Sequence, residues 1–337
     1  MNLTSALLRT SPRLISSFAS QIPQRTFAMA TMRSPLFTQQ VVKAMQTLYP
    51  EPLADRAWDN VGLLQENFTS SASTTPTPPV VILTNDLTLS VAQEAISRNA
   101  SVIISYHPFI FRGLKSITLA DPQQRIVLLL AQHNIAVYSP HTAIDAAPGG
   151  MADWLASMLS SIPGVTTTVS TVTPVDTSSL GEKFAGAGYG RKVQLSKPVG
   201  LGELVTLYAK GLGGLRHVMV ARPKTKEQIR IKTVAVCPGS GESVLAGVKD
   251  ADLIVTGEMS HHPALKLVME EKSVLSVFHS NSERAFLREV LKPQLEEQLK
   301  EVNGVQVLVS EEDQDPFQIV DVEDLPEDMK EDKMQTV

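Results

Sequence analysis

The sequence predicts an α/β protein whose sheets are covered by helices, and three observations carry that prediction. From about residue 80 onward, short apolar runs alternate with helical patterns in regular order. The runs are apolar at consecutive positions rather than at alternate ones, as in strands buried on both faces. Apolar residues make up 43% of the 337 and charged residues 19%, a balance that supports a sizeable core in one large domain or two smaller ones.

The elements follow in order. PVVILTND (79–86) reads as a buried strand, LSVAQEAISR as a helix and SVIIS (101–105) as a second strand. DPQQRIVLLLAQHN is a helix with Asp121 as its cap and Pro122 in its first turn. IAVYS (135–139) is the next strand, followed by the helix GMADWLASMLS. In the second half, TVAVC (233–237), DLIVTGE, SVLSVFH and VQVLVS are strands. ESVLAGVKD, HHPALKLVMEEK and SERAFLREVLKPQLEEQL are the helices between them. Two stretches break the rhythm. Residues 69–79 are a polar, proline-bearing loop, and 163–180 read as a domain boundary or, alternatively, an edge strand. Residues 181–232 open on a Gly-rich run and continue into a capped helix, SKPVGLGELVTLYAK.

Charge is concentrated at the ends. The first 50 residues hold five basic side chains and no acid, whereas 311–337 hold 11 acids against Lys330 and Lys333. The stretch between is close to neutral, which argues against a nucleic-acid surface. No apolar run reaches the roughly 20 residues of a membrane span. Residues 1–33 are Arg-bearing, Ser-rich and acid-free with recurring leucines, the pattern of a mitochondrial transit segment; a disordered extension is the alternative. A start at Met29 or Met32 would give a shorter, cytoplasmic form. The acidic tail reads as a solvated end whose Phe317, Ile319 and Val320 offer apolar contacts. Cys237 is the only cysteine, so neither an intramolecular disulfide nor a cysteine-built zinc site can form.

Chemistry gathers at strand ends, where α/β proteins place their sites. Three predicted strands run into histidine: His107, His141 and His279. Asp145 follows His141 by one helical turn, and Glu283 follows His279 at i, i+4. Imidazole with carboxylate suits Zn, Mn, Fe or Ni, and a carboxylate can bridge two ions. The same spacing also fits helix capping by Asp145 and a surface ion pair of Glu283, so both readings stay open here. GEMSHHP adds His261 and His262, one of which could move protons beside a metal; a surface helix start explains them equally. CPGSGES (237–243) reads as a tight turn more than a phosphate cradle, since it lacks the length and Lys of a P-loop. No G-x-S-x-G elbow is present.

Five segments in one order carry a resemblance: WDNVGL (58–63), SYHPFIFRGLKSIT (105–118), HTAIDAAPGGMADWLA (141–156), GEMSHH (257–262) and HSNSERAFL (279–287). Over about residues 35–320 the chain resembles the NIF-three-like family, also labelled GTP cyclohydrolase type-two-like proteins. The resemblance implies two interlocked α/β domains with a metal site in the cleft between them. The first would comprise 35–160 plus about 265–320, and the second about 165–264, with 321–337 as tail. It implies two divalent metal ions on His107, Asp145, His279 and Glu283. Tyr106 stands where many relatives carry a further histidine, and it is an additional candidate ligand through its phenol. Pro263 likewise stands where relatives often carry Asp. His141 and His261 are the candidates for proton transfer. Two functions follow as expectations: a metal-dependent hydrolase of a small phosphate- or nucleotide-like molecule, or a non-catalytic metal-binding protein with a protein partner, in transcription or metal handling. The resemblance also implies a homo-oligomer.

Overall fold

The computed structural model describes residues 33–68, 78–225, 227–326 and 329. The proposed transit segment, apart from Arg33, lies outside them, as do most of the 69–79 loop and the end of the acidic tail. Among the described residues, no helix is long and apolar enough to cross a membrane.

Two sheets make up the fold. The first contains β1 (Gly62–Gln65), β2 (Val80–Thr84), β3 (Val102–Ser105) and β4 (Ala136–Ser139), with β11 (Gln306–Val309) returning from the far end of the chain. Its order is β1-β4-β3-β2-β11, parallel except for β1. The second contains β5 (Thr167–Pro174), β6 (Gly188–Gly200), β7 (Met219–Ala221), β8 (Arg230–Cys237), β9 (Leu253–Thr256) and β10 (Ser273–Ser276). Its order is β5-β6-β8-β9-β10-β7, with a parallel centre and antiparallel flanks. β2, β3, β4, β9 and β10 are buried along their whole length, which is why they read as unbroken apolar runs.

Helices cover both faces of each sheet. On the first, α1 (Leu36–Leu48), α4 (His141–Ala146), α9 (Arg284–Phe286) and α10 (Lys292–Gln298) pack one side through Val41, Met45, Phe286, Leu287 and Leu291. α2 (Leu89–Ser97) and α3 (Pro122–Gln132) pack the other. The Asp121 carboxylate accepts from the Gln124 amide at 2.9 Å, so the cap read from sequence is made. On the second sheet, α5 (Met151–Ser157) and α6 (Leu201–Gly211) lie on one face, with α7 (Glu242–Leu245) and α8 (His261–Met269) on the other. Trp154 packs against both cores and joins them.

Three boundaries differ from the sequence reading, and one of its open alternatives is resolved. The return to the first sheet comes after β10, not near residue 265, because Ser273–Ser276 pairs with β9 and β7. The 163–180 stretch takes the edge-strand alternative, as β5. The capped helix of 196–210 begins only at Leu201: SKPVG ends the long strand β6, and no side chain caps α6. The long C-terminal helix is interrupted by a π turn at Leu287–Leu291, just before Pro293, which has no N–H to donate.

The acidic tail is anchored by charge rather than by apolar contact. Phe317 and Ile319 are exposed. Instead, Glu94 accepts from the Ser310 hydroxyl and from the Glu311 and Glu312 amides. The Asp313 carboxylate accepts from the Asn85 amide at 3.0 Å and from Arg284 Nε at 3.1 Å. Residues 310–315 therefore strap the ends of β2 and α9 together.

Candidate metal centre

The strand ends of the two sheets face each other across a cavity of about 380 Å³. β3 delivers Tyr106 and His107, β4 delivers His141 and Asp145, β8 delivers Gly239 and β10 delivers His279. This is the topological position where parallel sheets place ligands.

Three side chains converge. Ligand atoms of His107, His279 and Glu283 all lie within 4.8 Å of one another. His107 Nε2 is 3.5 Å from Glu283 Oε2, and His279 Nε2 is 3.4 Å from Glu283 Oε1. His279 precedes a 3₁₀ turn, Ser280–Ser282, and Glu283 follows it, so the i, i+4 pair shares one face as the spacing implied.

The surroundings orient each donor. His107 Nδ1 meets Asp86 Oδ1 at 2.9 Å, and His279 Nδ1 meets Glu258 Oε1 at 3.3 Å. Both imidazoles thus present Nε2 inward, the outer-shell arrangement that fixes ring orientation at metal sites. Asn85 Nδ2 donates to Glu283 Oε2 at 3.1 Å. Burial works against the Asp86 charge, but the His107 hydrogen bond and charge bring its carboxyl below the ordinary value. Glu283 goes the other way: burial, then the neighbouring Asp145 charge, holds it well above the usual carboxylate range. Burial also pushes the Asp145 carboxyl up to about 6. A buried carboxylate with two inward imidazoles is a donor set that fits a divalent ion.

Backbone strain marks the same place. His141 has φ 28° and Phe278, just before His279, has φ 70°. Non-glycine residues seldom take such angles, and they do so chiefly where tertiary structure holds a site in place. Gly239 has φ +55°, as the tight-turn reading of CPGSGES requires. Its N–H donates to Ser282 Oγ at 2.8 Å and the Gly241 N–H to Thr256 Oγ1 at 3.0 Å, so these amides serve the fold rather than a phosphate.

The remaining sequence candidates divide. His141 lines the cavity with its Nδ1 held by Asp59 Oδ1 at 2.8 Å, and its ring centroid is 5.3 Å from that of His107. Asp145 lines the cavity outside the three-donor cluster and accepts from the Tyr106 hydroxyl at 2.7 Å. Tyr106 is buried, and burial raises its phenol well above the ordinary value. His261 does not line the cavity: it opens α8, exposed, with its ring against His262. Adjacent histidines at a helix start face outward here, which removes His261 from proton transfer in this chain's cleft. Sequence reading missed Asn85, Asp86 and Asp59 as orienting residues. The first two follow strand β2 directly, so the strand-end rule that found the histidines could have found them.

At the mouth stand two exposed aromatic rings, Trp58 and Phe111, with centroids 6.0 Å apart. Trp58 Nε1 donates to Asp55 Oδ2 at 2.9 Å within its own loop. Asn60 Nδ2 donates to the Ile110 carbonyl at 2.5 Å and ties that loop to the one that carries Phe111.

Known proteins of the same kind accord with this architecture. A family model described as Duf34/NIF3 (NGG1p interacting factor 3) matches residues 37–316. A Schizosaccharomyces pombe protein, "Protein NIF3 homolog", is 44% identical over 280 residues, covering 82% of this chain and 95% of its own. The Saccharomyces cerevisiae "NGG1-interacting factor 3" is 40% identical, covering 83% and 96%. Among solved structures, a Bacillus cereus protein related to NIF3 superposes with TM-score 0.67 at 22% identity, over 84% of this chain and 98% of that one. The five ordered segments, the two sheets and the histidine–glutamate cleft between them thus have a common source: the chain belongs to the Duf34/NIF3 family.

Proposed function

We propose that the cleft is the active site of a metal-dependent hydrolase acting on a small nucleotide- or phosphate-like molecule. The observation that carries this reading is the convergence of His107, His279 and Glu283 in a cavity that also holds a proton-transfer candidate. A bound Zn, Mn, Fe or Ni ion would polarise a substrate oxygen and lower the pKa of water. His107, His279 and Glu283 hold the ion. Asp59 on Nδ1 of His141 fixes that ring's orientation and leaves Nε2 to take up and return a proton. Trp58 and Phe111 suit a planar ring at the mouth, which favours a nucleotide-like over a simple phosphate substrate. The test is metal analysis of the purified protein, then a nucleotide and phosphoester screen in the metal it carries. No turnover in that screen, with cells unaffected by His279→Ala, would end the hydrolase reading.

A second reading draws on the name of the S. cerevisiae relative, NGG1-interacting factor 3: a metal-stabilised protein that acts by binding a protein partner. A pull-down that loses its partners on deletion of the acidic tail, but not on His279→Ala, would favour it. We further propose a homo-oligomer, checked by light scattering. We also propose import into mitochondria through residues 1–33, with a cytoplasmic form from Met29 or Met32. Recovery of mature protein with Met1 intact would sink the import proposal.

A further inference from the structure

The metal reading leaves Asp145 and Tyr106 without a task. Both lie in the cavity wall beside the three-donor cluster. The Tyr106 hydroxyl donates to Asp145 Oδ1 at 2.7 Å, which commits one carboxylate oxygen to a phenol. The ring cannot swing away. It is 1% exposed, and its centroid is 4.9 Å from that of His107 and 5.4 Å from that of His141.

A second ion would need its own donors, about three from the protein at minimum. The remaining groups around the cavity do not supply them. His141, with Nδ1 on Asp59, has only Nε2 to offer, and that atom is not among the converging donors. Glu283 already faces His107 with one oxygen and His279 with the other. Among the described residues, one set of three donor atoms converges within 4.8 Å, and Asp145 is not in it. A neutral phenol is also a poor ligand for a divalent ion unless it loses its proton, and this one hands its hydrogen to a carboxylate.

We propose that this chain holds a single divalent ion on His107, His279 and Glu283, and that the hydrogen-bonded pair Tyr106–Asp145 fills the place of a second. The inference rests on the metal reading above. It replaces the two ions expected from the sequence with one ion and an organic pair. Asp145 is then a lining residue of the cleft, held in place by the phenol, rather than a ligand.

The experiment is metal stoichiometry on full-length protein, saturated with Mn²⁺ or Zn²⁺ and dialysed. It is read by mass spectrometry of the metal and, for Mn²⁺, by electron paramagnetic resonance. Wild type should hold about one ion per chain with an uncoupled Mn²⁺ spectrum. Tyr106→His adds an imidazole and frees Asp145, and should raise the count to about two with spin coupling. Asp145→Asn should leave the count at about one, because that carboxylate is not a ligand. Two ions in wild type, loss of the ion in Asp145→Asn, or a Tyr106→His protein that stays at one would each overturn the proposal. If Tyr106→His does not fold, the wild-type count and Asp145→Asn decide alone. Failure of the metal reading itself looks different: wild type then holds no ion at all.

Discussion

Gly239 stands so close to Glu283 that a β-carbon on it would meet Glu283 Oε1 at 2.7 Å and His279 Nε2 at 3.0 Å. The turn after β8 is therefore the wall against which two of the three donors rest. Gly239→Ala forces an L residue to φ +55°, at a cost of roughly 1–2 kcal/mol, and pushes on both donors. Ion affinity should fall by about 10–100-fold, the range seen when supports of metal ligands are altered. Calorimetric titration with Zn²⁺ checks this, and an unchanged affinity would show that the wall is not needed.

Glu283→Gln should separate ion binding from fold stability. Burial, then Asp145, raises the Glu283 carboxyl well above the usual range, so its charged form is disfavoured in the folded chain. Its stabilising contribution is complete below the ordinary carboxylate pKa and is lost as pH rises through the raised value. Asp145 has the same sign, its contribution being lost as pH rises from 3.8 through about 6. Without metal, the Gln variant should melt higher than wild type at pH 8, and the gap should close on acidification. With metal at 100 times its Kd, wild type should gain about 2.7 kcal/mol and the variant almost nothing. Thermal melts across pH, with and without metal, read both effects.

The Asp59–His141 pair predicts a kinetic signature. Asp59 is buried, and burial disfavours its charge; the His141 hydrogen bond nonetheless brings its carboxyl below the ordinary value. Asp59→Asn should keep the ion count and lower kcat by roughly 10²–10⁴, the usual contribution of a general acid or base. KM should change little. A variant that loses its ion instead would place Asp59 in support of the metal rather than of the proton.

The strap at 310–315 should release in acid. Burial opposes the charge on Glu94, but the Ser310 hydroxyl and the Glu311 and Glu312 amides bring its carboxyl below the ordinary value of 4.5. Stability from this group is present above 4.5 and lost as pH falls below it. Hydrogen exchange in 310–315 should rise below that pH. Glu94→Gln should show the same rise at pH 7. Protection that persists in the variant would assign the anchoring to Asp313 and Arg284 alone.

Much of the frame was legible because fully buried strands leave unbroken apolar runs, as in VVILT and VIIS. His107, His141 and His279 were legible for the same reason, since a strand end is a position a sequence reveals. What escaped depended on partners far along the chain. Nothing local says that SVLS joins the second sheet rather than the first, because its apolar pattern suits either. His261 carries the same local signal as His279, yet the start of α8 turns it outward. Phe317 and Ile319 suggested packing, but the tail is held by the carboxylates of Glu94 and Asp313.

The return of β11 to the edge of the first sheet has a consequence for synthesis on the ribosome. Strands β5 to β10 are contiguous in the chain, so the second sheet has all its strands once residue 276 has emerged. The first sheet must wait. Its core lacks Phe286, Leu287, Leu291, Leu295 and Val307 until α9, α10 and β11 leave the exit tunnel. The part made first is thus finished last, and a nascent chain stalled before residue 306 exposes an apolar face that holdase chaperones would recognise.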